Sequence, residues 1–297
     1  MHATEGLDPL AARRQFARRG AALARADFLY REVERQMLER LDVIRLAPER
    51  MLDVGCGLGR GLLALAQRYA QAQGVGVDFC APVLTEAARA LRPAGSGWLA
   101  RLLGGRPSSA SRLHLICADA AALPLPAASA DLVWSNLCLH WVADPAAALR
   151  DWYRVIRPGG LVMFSLFGVD TLREIRGDGK AVQPFADMHD IGDALREIGF
   201  ADPVMDTQWI TVTFDSPRQL LADVKALGGN AWRLRRGGLS GRDRQRRWLE
   251  ALAQQRDDNG RIALTFEIVF GHAWCPEEKR RADGLVPIRL ERPGRAP

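Results

Sequence analysis

The chain has 297 residues, 48% hydrophobic and 26% charged; this balance belongs to globular proteins, excludes disordered and collagen-like chains, and gives length enough for one large domain or a domain with a smaller cap. No apolar run approaches the roughly 20 residues of a membrane span, the first residues lack the apolar centre of a secretory signal, and five scattered cysteines without a C-x-x-C pair (Cys56, Cys80, Cys117, Cys138, Cys275) suggest neither a zinc site nor a disulfide framework, so a cytoplasmic protein without a metal is expected. A formal net charge of +6 leaves nucleic acid, an anionic surface or an acidic protein open as partner.

Residues 9–46 predict two helices. In the second, Val33, Met37, Leu38, Leu41 and Ile44 recur at helical spacing, and Pro48 stops the segment. Strands and helices then alternate: strand 50–55, helix 61–70, strand 74–79, helix 81–92, and strands over 112–119, 130–136 and 160–168. A helix from Asp144 precedes the last of these, ends at Pro158 and turns on Gly159 and Gly160. Residues 93–112, rich in Gly, Ser and Pro, read as a surface insertion. Such alternation implies crossovers and a parallel sheet buried on both faces, with ligands at the carboxyl ends of its strands.

Past residue 168 the rhythm changes. Residues 187–200 predict a helix, 209–214 a strand, 216–229 a helix with Ser216 as N-cap, and 261–274 a long apolar strand. The two late strands are expected at the antiparallel end of the sheet, with a helical cap over about 215–260. In the arginine-rich run RLRRGGLSGRDRQRR (233–247) Asp243 is the single acid; a solvated face is the plain alternative to a docking surface. The expected architecture is thus α/β: an N-terminal helical segment (1–47), a doubly wound Rossmann-like core (48–168), a C-terminal part carrying the late strands and the cap (169–275), and a poorly ordered tail (276–297).

The chemistry gathers at the strand ends. Asp53, Gly55, Gly57 and Gly59 spell D-x-G-x-G-x-G between a strand and a helix. Glycines there permit a tight turn with positive φ and a close approach of backbone to ligand. The spacing is not the dinucleotide fingerprint, because Arg60 stands where its third glycine would be, and the Lys-Ser/Thr of a P-loop is missing. Asp78 ends the second strand, where an acid accepts from ribose hydroxyls. Asp119 ends the third, followed by the small Ala120 and Ala121, where a carboxylate can accept from a base amine. Three acids in register suit a nucleoside without phosphates. The residues expected against it are Asp53, Gly55, Cys56, Gly57 and Gly59, then Asp78 and Phe79, then Asp119 and Ala120, and Asn136 after the fourth strand.

On these motifs, together with PLPAASADLVWSN and RVIRPGGLVMFS, the segment 48–168 resembles the class I S-adenosyl-L-methionine-dependent methyltransferases. The resemblance implies that the Asp53–Gly59 loop meets the methionine end of the cofactor, Asp78 its ribose and Asp119 its adenine. The stretches FLYREVERQMLERLDVIRLAPERMLDVGCG, LVWSNLCLHWVADPAAALRDWYRVIRPGGLVMFSLFGVDTLREIR, FADMHDIGDALREIGFADPVMD and LLADVKALGGNAWRLRRGGLSGR carry a longer resemblance, over about 16–275, to the malonyl-[acyl-carrier protein] O-methyltransferases of biotin synthesis. That family implies methylation of the free carboxylate of a malonyl thioester on an acidic acyl carrier protein, with neither nucleic acid nor membrane as partner. An ionised carboxylate needs no general base, and an Arg or His can orient it.

Three residues are candidates on the acceptor side. His140 could be a base, an anion donor or a packed histidine; Trp141 could line the pocket or the core; Arg173 could be a cap-side carboxylate ligand or a surface residue. Family members often carry a Tyr where this chain has Leu23, the nearest tyrosine being Tyr30. The segments LCLHWV and FGVDTL equally resemble a branch that modifies a protein arginine or assists assembly of a respiratory complex, which is the alternative reading. A nucleic-acid methyltransferase is disfavoured because Asn136 is followed by Leu-Cys-Leu and not by Pro-Pro.

Overall fold

The computed structural model describes residues 6–18, 27–91, 112–176, 182–227, 231–233 and 242–277. Leu23, Arg235, Arg236, nearly all of the 93–112 insertion and the tail beyond 277 lie outside them. Two helices, α1 (Pro9–Ala17) and α2 (Asp27–Asp42), precede β1 (Arg50–Val54), α3 (Arg60–Arg68), β2 (Gln73–Asp78), α4 (Ala81–Ala90), β3 (Leu113–Cys117), β4 (Ala130–Ser135), α5 (Pro145–Val155) and β5 (Ile156–Phe167). Then follow α6 (Met188–Ile198), β6 (Ala201–Phe214), α7 (Pro217–Leu227), α8 (Arg242–Ala253) and β7 (Ile262–Trp274). Among the described residues no helix is long and apolar enough to cross a membrane.

The strands form one seven-stranded sheet in the order β3-β2-β1-β4-β5-β7-β6. β1 to β5 are mutually parallel, and β7 runs antiparallel between β5 and β6. The order reverses between β1 and β4, so the carboxyl ends of these strands flank the crevice where such sheets bind ligands. Alternation along the strands separates two cores. Met51, Leu132, Trp134, Met163 and Phe266 pack on one face with Leu29, Val33, Met37 and Leu41 of α2, with Leu220 of α7 and with Leu252 of α8. Leu52, Val133, Val162 and Phe164 pack on the other with Leu149 and Trp152 of α5 and Leu195 of α6.

Local chemistry sets the helix ends. Asp8, Asp144 and Ser216 each accept a hydrogen bond from a first-turn N–H, and α6 runs from Asp187 to Gly199 at φ 109°. Both late strands join the main sheet, and α7 and α8 occupy the span assigned to a cap. Two strand starts differ from expectation by four residues or more. β5 begins at Ile156 rather than 160, because the chain leaves α5 straight into the sheet; Gly159 (φ 76°) absorbs a register shift against β4, and Gly159 and Gly160 exchange hydrogen bonds with Cys275. β6 begins at Ala201 rather than 209. Its first half contains Asp202 (φ 48°) and Pro203, poor strand formers that are tolerated because β6 is the sheet edge and β7 supplies its pairing.

Candidate active site

The glycine loop joins β1 to α3, with Gly55, Gly57 and Gly59 all at positive φ (76°, 51° and 77°). Gly55 is required twice over: its backbone is left-handed, and a Cβ there would run into the side chain of Cys138. At Gly57 nothing lies within 4 Å of the place a Cβ would take, so this position opens onto the cleft. Gly59 instead faces Ala87 and Leu91 near the end of α4, away from the cleft. The loop is tied to β2, since the N–H groups of Gly55 and Cys56 both donate to the Val77 carbonyl (2.7 and 3.0 Å).

Asp78 is fixed by two backbone donors, Gly57 N–H to Oδ2 (3.1 Å) and Cys80 N–H to Oδ1 (2.8 Å). Burial pushes its carboxyl up from the ordinary range and those donors hold it down. A carboxylate has about four acceptor positions, so it keeps lone pairs for a ribose diol. Asp53, Gly55, Cys56, Gly57, Asp78, Phe79, Asn136 and Trp141 line one cleft. A second cleft shares Phe79, Cys138 and Trp141 with it and is lined by Asp119, Ala120 and Ala121. Asp119 accepts from the Ala121 N–H (2.9 Å), and the Ala120 carbonyl is anchored by Trp152 Nε1 (2.8 Å). Carboxylates at three strand ends and an open glycine cradle fit S-adenosyl-L-methionine, which brings a ribose, an adenine amine and a cationic tail. Asn136 uses its amide on the protein: Nδ2 donates to the Tyr30 carbonyl (2.9 Å) and Oδ1 accepts from Ser165 (3.0 Å), tying α2 to β4 and β5.

Two acceptor-side candidates lie elsewhere. His140 is 1% exposed and lines neither cleft. Its ring packs against Phe167 (4.4 Å between centroids), Trp141 and Phe185, and Nδ1 accepts from the Phe167 N–H (3.4 Å). Burial pushes its pKa down to about 3, so the ring is neutral and packed away from both clefts. Arg173 lies over the ring of Trp209 on β6 (5.4 Å) and beside Glu174, outside both clefts; the short helical turn at 173–175 carries it to the sheet edge. Trp141 does reach the site, where Phe16 of α1 stands edge-on to it (5.2 Å) and to Phe79 (5.5 Å).

Several lining residues escaped the sequence reading. Asp27, Tyr30, Arg31 and Glu34 come from α2, Arg60 from α3 and Phe16 from α1. Arg60 and Arg31 both pair with the buried Asp27 (2.8 and 3.4 Å), and Tyr30 donates to the Leu227 carbonyl (3.1 Å). A signal existed: Asp27, Arg31 and Glu34 recur at helical spacing, a polar stripe flanking the apolar one about a quarter turn away.

The description "Methyltransferase domain" fits residues 52–164 through a family model. The chain is 40% identical over 294 residues to the malonyl-[acyl-carrier protein] O-methyltransferase of Methylovorus sp. strain MP688, covering 96% of this chain and 95% of the relative. Proteins of the same name from Gallionella capsiferriformans and Laribacter hongkongensis are 41% and 43% identical, covering 95% and 91% of this chain and 96% and 90% of theirs. Among solved structures, the YcgJ protein of Bacillus subtilis matches the fold with a TM-score of 0.57 at 15% identity, over 83% of this chain and 99% of that one. A SAM-dependent methyltransferase of Thermotoga maritima gives 0.51 at 16% identity, over 89% and 99%. With identity of this extent over 91–96% of its length, the chain belongs to the malonyl-[acyl-carrier protein] O-methyltransferase family.

Proposed function

We propose that the protein transfers the methyl group of S-adenosyl-L-methionine to the free carboxylate of a malonyl group on an acyl carrier protein, forming the methyl ester. The observation that carries this reading is about 40% identity to relatives of that name over nearly the whole chain. Those relatives favour it over the protein-arginine or assembly alternative. The bound cofactor supplies a methyl group on a cationic sulfur, already a good leaving group.

The chain's own work is alignment and exclusion of water. The acceptor carboxylate is ionised at neutral pH, so no proton has to leave it, and the burial of His140 away from both clefts is compatible with chemistry that needs no base. Asp78 is proposed to hold the ribose, Asp119 and Ala120 the adenine side, and the loop from Asp53 through Cys56 to Gly57 the methionine end. Phe16, Phe79 and Trp141 wall the junction of the two clefts. For the acidic carrier, the arginines of 233–247, of which Arg246 lines the groove between α7 and α8, are the proposed docking charges, joined by Arg218 and Lys225 of the same groove.

Incubation of the protein with S-adenosyl-L-methionine and malonyl-carrier protein, followed by mass spectrometry, tests the reading. One added methyl on the malonyl group, lost in Asp78→Ala, is expected. Cofactor binding without transfer to that acceptor would overturn it.

A further inference from the structure

Two carboxyls in the cleft, Asp27 and Glu34, belong neither to the glycine motif nor to the ribose acid, and of these Asp27 is paired with Arg31 and Arg60. Glu34 of α2 lines the cleft together with Asp53. The place a Cβ on Gly61 would take is 3.0 Å from Asp53 Oδ2, 3.2 Å from Trp134 Nε1 and 3.4 Å from Glu34 Oε2. Two carboxyls and an indole N–H therefore converge on one point in the first turn of α3. That indole nitrogen is fully buried and, among the described residues, has no hydrogen-bond partner.

The groups facing the pair come from four elements. α2 brings Asp27 and Arg31, α3 brings Arg60, β2 brings Asp78, and β4 brings the uncharged Trp134. Cys56 and Cys138 lie nearby as neutral thiols, raised by burial. Arg60 and Arg31 are both engaged with Asp27, which limits what they give to Glu34. Burial first, and then the charge of Asp27, push Glu34 up to about 7 against the pull of Arg60. Burial, then Glu34 and Asp78, push Asp53 well above its ordinary range against the Leu62 N–H. Carboxyls crowded in this way do not all ionise together.

We infer that Glu34 and Asp53 together receive the ammonium group of the cofactor's amino-acid end, and that a proton held on this pair leaves as that group enters. The inference rests on the reading that the cofactor binds this cleft. The step is an exchange without covalent change in the ligand: a carboxyl O–H gives its proton to solvent, and the ammonium, its three N–H bonds intact, takes its place as hydrogen-bond donor. Arg31 and Arg60, in the same cleft, are the cations available to the carboxylate of the same amino-acid end.

Calorimetric titration of the full chain with S-adenosylhomocysteine, which carries that amino-acid end and cannot turn over, tests this. Run at pH 7 in phosphate and in Tris, whose ionisation heats differ, it should give a net release of about 0.5–1 proton per ligand. The dissociation constant should rise by up to about tenfold per pH unit below 7. In Glu34→Gln the release should fall towards zero and the pH slope flatten, while Glu34→Asp keeps both; circular dichroism checks that the variants fold. Binding with equal heats in the two buffers and a constant affinity from pH 5.5 to 8 would overturn the proton exchange while leaving the cofactor reading intact. Proton release undiminished in a folded Glu34→Gln would overturn the role of Glu34. Absence of any binding in the parent protein would overturn both readings.

Discussion

His140 follows β4 directly, where an acceptor-facing base would stand, yet its backbone belongs to a short helical turn that aims the ring into Phe167 and Phe185 instead of the cleft. Burial alone pushes its pKa down to about 3. A histidine whose folded pKa lies below its unfolded value of about 6.5 contributes its full stabilisation above pH 6.5, and loses about 1.4 kcal/mol per pH unit as pH falls from there towards the folded pKa. His140→Phe fits the aromatic surroundings and removes that slope. In urea unfolding between pH 7 and pH 5, the parent should lose about 2 kcal/mol more than the variant. The variant should still methylate malonyl-carrier protein at pH 7. A fall of about 100-fold or more, the size that goes with a lost general base, would restore a catalytic role for His140.

Among the elements, α1 lines both clefts, through Phe16 in one and through Pro9, Ala12 and Arg13 in the other. Phe16 makes edge-to-face contacts with Phe79 and Trp141, and Arg13 donates to the Phe79 carbonyl (3.2 Å). Each aromatic contact contributes about 0.5–1.5 kcal/mol beyond area burial. Phe16→Ala should therefore weaken S-adenosyl-L-methionine binding about tenfold, with only a small change in thermal midpoint because α1 lies outside the two main cores. Unchanged affinity by fluorescence titration would mean that α1 does not close the cleft. The parallel strands were legible because their apolar runs alternate with helical stripes, and the acids at their ends were legible from position alone. Legibility failed where tertiary pairing overrides local preference. Asp202 and Pro203 hide the first half of β6, which is ordered by β7, and Pro158 with Gly159 reads as a stop although β5 runs through them. It failed again where partners lie far apart in sequence. Glu34 gains its meaning from Gly61 and Trp134, and the outward placement of Arg173 depends on Trp209.

At the scale of the whole molecule, charges differ in depth. Of the acids proposed to hold the cofactor, Asp53 and Asp78 are buried and Asp119 is exposed, while Arg218 and Lys225 are exposed on α7. Buried charges are screened little by salt; exposed ones lose their reach beyond a Debye length, about 10 Å at 0.1 M. If the carrier docks on the cap, raising sodium chloride from 0.05 to 0.3 M should increase KM for malonyl-carrier protein about 3- to 10-fold and leave kcat and cofactor affinity nearly constant. A malonyl thioester of a small neutral thiol, presenting the same carboxylate without the acidic protein, should show no such rise. The double variant Arg218→Glu and Lys225→Glu should raise KM for the carrier substrate at low salt and spare the small one. An equal salt response for both acceptors would place the sensitivity at the carboxylate and remove the cap from carrier recognition.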